Sequence, residues 1–505
     1  MTSAARLLIT IAVMSATVMQ VLDTTIVNVA LPYMQGSFSA APDQITWVLT
    51  SYLVASGIFM PLAGYFTDRL GRKRYLLISI FGFVVFSALC GLSASLGQMV
   101  VFRLLQGAFG ASLVPLSQAI MVDTYPLEER GKAMAIWGVG VMLGPILGPT
   151  LGGYLTDALS WRWAFYVNVP VGAFSLLLAW QVTPDTEAKA RSMDWSGFAL
   201  IALAIGGLQF VLDRGVQEDW FSSNAIRAAA LISGLGFCGF LLHSLLRRSA
   251  SLFNLSVFLD RNFATASALL AVMGLGLYGN MVMQPLMLEG LFNYPAATAG
   301  LVMAPRGIAS MISMILAGRL VNRIGPRTLI AVGIVVSALG TYVTTNYDLD
   351  TDPWWFIWPI LIQGFGMGMI FVPLAVVAYS TLAKALVAEA AGLYSLLRTI
   401  GSSIGISIVA TLLARQTQVA WNQIGEHVEP FNPALFRYLK LLHLNLSDPQ
   451  APALLAMELG RQAQMVAFID VFLFITLCFV AMLPLVLILQ RGNEAPAIQG
   501  PPAVE

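Results

Sequence analysis

The sequence predicts an all-α integral membrane protein, fourteen transmembrane helices arranged as two six-helix bundles with two linker helices between them. Three observations predict it. Of the 505 residues, 58% are hydrophobic and only 10% are charged, whereas a soluble domain carries about 25% charged residues. Apolar stretches long enough to span a bilayer recur along nearly the whole chain, each closed by a charge, proline or glycine cluster. Segments of the first half return in the second in the same order. The spans must be helical, because a barrel would read as roughly ten-residue segments of alternating polarity.

The same composition excludes other classes. A net charge of +1 gives no electrostatic basis for holding a nucleic acid. Three cysteines and three histidines, all widely separated, fit neither a disulfide framework nor a metal cluster.

The first span covers 7–31. A cleaved signal peptide would turn polar after its apolar core, but this run continues through Asp23 to Pro32, which favours a retained helix. An ionised Asp23 in hydrocarbon costs roughly 2.5 kcal/mol or more. Either its proton affinity, set by burial against a neighbouring cation, suits it to take and release protons, or it is a structural carboxylate bonded to another helix. Gln20 and Asn28 are polar cavity candidates on the same span. The second span, 44–66, runs into GYFTDRLGRKR at 64–74. Gly64 and Gly71 permit a sharp reversal there, and Asp68, Arg69 and Arg72 read as a charge-locked gate between helices or as a topology signal alone.

The third span is 75–95. The fourth, 98–122, carries Arg103 with Gln106 one turn onward on the same face. Arg103 is the candidate cation beside Asp23; the competing reading is a structural clamp on backbone carbonyls. The fifth span, 131–156, holds Gly140, Gly144, Gly148 and Gly152 four apart, with Pro145 and Pro149 between them. Such a stripe lets another helix approach closely and the prolines loosen the helix's own bonding, so it reads as a hinge or sliding seam, or else as tight static packing. The sixth span is 162–182.

The seventh and eighth spans, 195–213 and 224–247, fall between the repeated halves. Spans nine to fourteen cover 263–289, 297–320, 328–346, 354–381, 389–414 and 465–490. Arg306 and Arg398 lie inside the tenth and thirteenth without an obvious acidic partner, and read equally as structural or cavity-facing. Residues 415–464 form a long hydrophilic loop, amphipathic around 436–446, in which some helix but no independent domain is expected. Glycine patterns at 234–239 and 274–279 spell a dinucleotide fingerprint and 401–405 a nucleophile elbow. All lie within spans, without a βαβ unit or a neighbouring His and acid, so packing explains them. No catalytic residue, metal or cofactor is expected.

The repeat supports the two-bundle plan. GYFTDRLGRKR at 64–74 aligns with GRLVNRIGPRT at 318–328, and QGAFG at 106–110 with QGFG at 363–366. The halves are 1–190 and 261–505, with linker helices in 191–260. Of the 27 Lys and Arg, 17 fall on the side of the termini, 7 opposite and 3 inside spans. Positive charge stays on the side of insertion, so both termini are expected in the cytoplasm and the long loop outside.

Together these motifs resemble the major facilitator superfamily, in its fourteen-helix drug:proton antiporter branch. The 64–74 segment resembles the loop motif between its second and third helices, RLLQG at 103–107 its fourth-helix motif linked to proton coupling, and GVMLGPILGPTLGG at 140–153 its fifth-helix antiporter motif. LDTTIVNVALP at 22–32 and WRWAFYVNVP at 161–170 are similar to segments typical of that branch. Within it, LDRG at 212–215, DWFSS at 219–223, RNF at 261–263 and PFNP at 430–433 resemble the EmrB-like pumps of Gram-negative inner membranes. The resemblance implies a major facilitator fold, proton-driven export of hydrophobic or amphipathic molecules with Asp23 and Arg103 in coupling, and a periplasmic membrane-fusion adaptor and an outer-membrane channel as partners. One departure is Asn322 in the second half where the first has Asp68; another is the missing second copy of the proline-glycine seam.

Two rivals stand beside this reading. A dedicated exporter would carry one cargo, such as a siderophore, fatty acid or antibiotic precursor. A membrane enzyme or sensor would need a polar catalytic cluster or a soluble output domain, and the sequence offers neither.

Overall fold

A computed structural model describes the chain apart from residues 1–2, 127–128, 187–192, 247–254, 384–385, 430, 442–447, 449 and 491–505, and apart from a few side chains within helices, among them Pro145 and Pro149. Fourteen long helices follow in order: α1 (Ser3–Phe38), α2 (Trp47–Leu70), α3 (Arg72–Leu92), α4 (Leu96–Thr124), α5 (Arg130–Ala158), α6 (Trp163–Val182), α7 (Trp195–Arg214), α8 (Asn224–Leu246), α9 (Arg261–Gly290), α10 (Ala296–Ile324), α11 (Pro326–Val343), α12 (Pro353–Ala378), α13 (Val387–Gly425) and α14 (Ala451–Val486). Thirteen are long and apolar enough to cross a membrane by length and composition. The other, α5, is a 29-residue helix in the fifth place. Each expected span is therefore a helix.

Local chemistry sets several of the ends. Ser95 accepts a hydrogen bond from the Gln98 N–H at the start of α4, Asp260 one from Phe263 at the start of α9, and Asp352 one from Trp354 at the start of α12. Gly71 and Gly325 occupy repeat-related positions between α2 and α3 and between α10 and α11. Both have positive φ, 80° and 89°, so each turns the chain in a conformation that disfavours a Cβ.

Residues 415–464 are more helical than the sequence suggested. α13 runs past 415 to Gly425, Pro433–Leu441 forms a short helix, and α14 begins already at Ala451. The polar residues that mark a loop in a hydropathy reading instead extend two helices beyond the expected spans. The part of the amphipathic stretch from 442 to 446 lies outside the described residues.

In the N-terminal half α1 packs against α5 and α6, α2 against α4, and α3 against α4 and α6. In the C-terminal half α9 packs on α13, α12 on α10 and α11, and α14 on α11 and α13. α5 and α10 join the halves. The linker pair α7 and α8 pack on each other, and α7 lies against α2 and touches α13. Leu231, Leu235, Phe237 and Leu242 of α8 are exposed, as a lipid-facing helix requires. Exposed Trp163, Trp195, Trp354 and Trp355 sit at helix ends, the position of an aromatic belt.

Candidate functional site

The fold buries a charged network inside the N-terminal half. Asp23 of α1 is fully buried and Arg103 of α4 is 1% exposed. Arg103 Nη1 donates to Asp23 Oδ2 at 2.6 Å and to Gln106 Oε1 at 2.8 Å. Gln106 Nε2 and Asn168 Nδ2 both donate to Asp23 Oδ1, at 2.9 and 2.8 Å. Arg103 Nε reaches the Val48 carbonyl at 3.1 Å, and its guanidinium lies over the Tyr52 ring, 4.3 Å from the centroid. Four helices thus converge on one carboxylate: α1 supplies it, α4 neutralises it, α6 adds an amide, and α2 lines the cation. The spacing of Arg103 and Gln106 puts both on the α4 face toward Asp23.

Such an arrangement offsets the cost of burying both charges. The network therefore ties α1, α4 and α6 together through one side chain. Gln20 lies beside it and donates to the Tyr52 hydroxyl at 3.0 Å. Asn28 does not join: it is exposed and bonds to the Thr24 carbonyl of its own helix.

The α5 glycine stripe lies against the helix that carries Asp23. A Cβ at Gly140 would stand 1.9 Å from Met14 Cε, one at Gly144 2.8 Å from the Val21 carbonyl carbon, one at Gly148 2.0 Å from Thr25 Oγ1, and one at Gly152 2.9 Å from Ile26 Cγ1. Thr25 Oγ1 donates to the Gly144 carbonyl at 3.0 Å. The side chains of Pro145 and Pro149 lie outside the described residues. A different α5 face meets the other half: Gly131 approaches Gly318, Gly138 approaches Met314, and Trp137 stacks on Phe371 at 5.6 Å.

The 64–74 segment also touches both halves. Gly64 lets α2 approach Glu389 of α13, whose Cα would lie 3.2 Å from an added Cβ. The Arg72 guanidinium pairs with Asp123 and the Arg72 backbone N–H donates to Thr186 Oγ1 at 2.7 Å, while Lys73 stands 3.9 Å from Asp185. Arg69 turns back to the Tyr65 hydroxyl at 2.5 Å, and Asp68 is half-buried. The pairs of Arg72 and Lys73 therefore hold the N-terminal half together, and close glycine packing brings the halves into contact. Tyr379 adds a bond across them, donating to Gln118 at 3.2 Å. All these inter-half contacts lie toward the end that holds the termini. At the opposite end, Gly153 of α5 and Gly300 of α10 have nothing within 4 Å of an added Cβ, and Tyr154 is 69% exposed.

The C-terminal half has a polar centre of different charge. Arg306 is buried; its Nη2 donates to Gln284 and, at 2.7 Å, to Gln363. Gln363 in turn donates to Thr341 at 2.7 Å. Arg398 is half-buried. Sequence reasoning missed several participants. Asn168 lay in a recognised motif without a role, Gln363 was seen only as the repeat partner of Gln106, and Tyr52 and Gln284 gave no signal among so many aromatic and neutral residues. Asp470, held by Gln416 at 2.8 Å, was detectable as an acid near the start of the last span.

Comparison with known proteins places this geometry in context. The Major Facilitator Superfamily model matches residues 13–406. The chain is 34% identical over 485 residues to the multidrug export protein EmrB of Haemophilus influenzae, covering 95% of this chain and 94% of that protein. It is 34% identical over 482 residues to the fatty acid resistance protein FarB of Neisseria gonorrhoeae, covering 95% of each. Among solved structures, that of the proton:xylose symporter XylE has the same fold, with a TM-score of 0.61 at 14% identity, covering 94% of this chain and 95% of that one.

Proposed function

The chain belongs to the major facilitator superfamily, a multi-pass membrane transporter rather than an enzyme, and from that premise we propose that it is a proton-coupled exporter of hydrophobic or amphipathic small molecules. The observation that carries the proposal is the buried Asp23–Arg103 pair with Gln106 and Asn168. A proton arriving from outside neutralises Asp23, releases Arg103 and loosens α1 from α4 and α6; loss of that proton inside restores the pair. Antiport follows when cargo and proton stabilise opposite arrangements of the two halves. In this reading the termini face the cytoplasm of a bacterial inner membrane, and the arrangement described is closed on that side by the Gly131–Gly318 and Gly64–Glu389 contacts. The proton gradient is the only energy source required, with no cofactor.

The bundles 1–190 and 261–505 rock against each other, α5 sliding on α1 along its glycine stripe and α7–α8 forming the link. A periplasmic adaptor and an outer-membrane channel complete the export path, the partners that the resemblance to EmrB-like pumps implies. The decisive experiment uses everted vesicles: a proton gradient drives accumulation of a fluorescent drug with the wild type and not with Asp23→Asn. Unchanged gradient-dependent accumulation in that variant refutes the role of Asp23.

The name of the FarB relative favours a second reading, a dedicated exporter of one cargo such as a fatty acid. A resistance profile of a pump-deficient strain, with and without the adaptor, separates the two: a broad profile supports the multidrug exporter and a single protected compound the dedicated one.

A further inference from the structure

The two halves differ in charge at their polar centres. In the N-terminal half Arg103 is balanced by Asp23 at 2.6 Å. In the C-terminal half Arg306 has no such balance: none of the ion pairs among the described residues includes it. Its hydrogen bonds to described residues all leave from Nη2, toward the neutral oxygens of Gln284 and Gln363. Its Nε is buried without an acceptor, so most of the guanidinium's five donors remain uncommitted. A buried cation with free donors, roughly 15 Å along α10 from its Ala296 start, lies near the middle of a hydrocarbon layer about 30 Å thick. Neutral amides cannot offset that charge, and a planar guanidinium is shaped for a carboxylate in two parallel bonds.

Two further features favour a ligand over a clamp. Asn280, one turn before Gln284 on α9, is buried and its Oδ1 has no partner, which leaves a second unsatisfied polar group on the same helix face. Arg306 also keeps 9% exposure, and it lies on the half of α10 away from the Gly318 contact, toward the end where Gly300 meets nothing.

We propose that Arg306, oriented by Gln284 and Gln363, is the site that receives the headgroup of a singly charged carboxylate amphiphile carried by this protein. The inference deepens the exporter reading and rests on it for the word cargo, but binding at Arg306 is measurable without transport. The two glutamine oxygens fix the guanidinium by Nη2 and leave its Nη1 donors for the incoming carboxylate. Specificity then comes from charge in the C-terminal half, while proton coupling stays in the N-terminal half.

The test compares laurate with dodecylamine, chains of equal length and opposite charge, by tryptophan quenching of the full-length protein in phosphatidylcholine nanodiscs. Arg306→Gln should weaken laurate binding about tenfold or more and leave dodecylamine unchanged, and Arg306→Lys should recover much of the loss. Equal loss of both ligands without rescue by lysine identifies a structural clamp and overturns the proposal. So does wild-type protein that shows no laurate binding, or laurate binding indifferent to Arg306→Gln. Displacement of laurate by phosphatidylglycerol in the discs assigns the site to a resident anionic lipid and overturns the cargo assignment. Arg306-dependent laurate binding in a chain whose vesicles export no amphiphile leaves the site standing and overturns the exporter reading alone.

Discussion

Asp23 Oδ2 and Arg103 Nη1 stand 2.6 Å apart with both side chains removed from solvent. Deleting one charge of such a pair leaves the other unpaired in a dry site, at a cost of about 3–5 kcal/mol. Asp23→Asn should therefore lower the thermal unfolding midpoint in detergent as well as uncouple transport. The double variant Asp23→Asn with Arg103→Gln should recover most of the midpoint and remain uncoupled. Gradient-driven accumulation in the double variant would show that the pair is structural.

The expected Asp23–Arg103 pairing was legible because both residues are rare exceptions in a chain that is 10% charged. Fourteen helices were legible for the same reason, since each span is longer than any soluble core requires. Asn168 and Tyr52 complete the network through geometry that no span-by-span reading supplies, because neutral and aromatic side chains carry no penalty that marks them out in sequence. The polar segment 415–464 misled in the opposite direction: hydropathy measures the solvent a helix suits, and α13 and α14 remain helical through residues too polar to read as span.

The glycines of α5 have unequal room, and this separates packing from mere composition. At Gly144 an added Cβ meets backbone, the Val21 carbonyl carbon at 2.8 Å and Leu22 N at 2.9 Å, whereas at Gly153 it meets nothing within 4 Å. Gly144→Ala should destabilise the protein by about 1–3 kcal/mol and reduce transport by displacing α1 and with it Asp23. Gly153→Ala should be neutral in both. Equal behaviour of the two variants in unfolding and transport assays would contradict a close α1–α5 seam.

Gly131 and Gly318 bring α5 and α10 together at the termini end; a Cβ at position 318 would lie 2.8 Å from the Gly131 carbonyl oxygen and 2.7 Å from Ala135 Cβ. Gly318→Leu should prevent this approach and shift the population toward the state open at that end. In a variant without the native cysteines Cys90, Cys238 and Cys478, a reporter at Tyr154→Cys, at the other end of α5, reads the shift. Its labelling by a membrane-impermeant maleimide from outside should be rapid in the parent and several-fold slower with Gly318→Leu. An unchanged rate would mean that this contact does not hold the gate.

At the start of α7, Asp194 accepts bonds from the Gly197 N–H at 2.9 Å, Ser196 Oγ at 3.0 Å and His243 Nε2 at 2.9 Å, so one carboxylate both caps α7 and ties it to α8. Burial works to raise the Asp194 carboxyl, but these bonds outweigh it and hold the group below the usual carboxylate range. A carboxyl depressed in the folded state contributes stability that is fully present above its unfolded value near 4, and that stability is lost as pH falls through the folded value. Asp194→Asn keeps one cap acceptor and removes the charge, so it should lower the unfolding midpoint at pH 7 by the equivalent of about 1 kcal/mol. The difference between variant and wild type should shrink as pH falls below about 4. A midpoint difference that stays constant from pH 7 to pH 3 would exclude the ionised carboxylate as the link between α7 and α8.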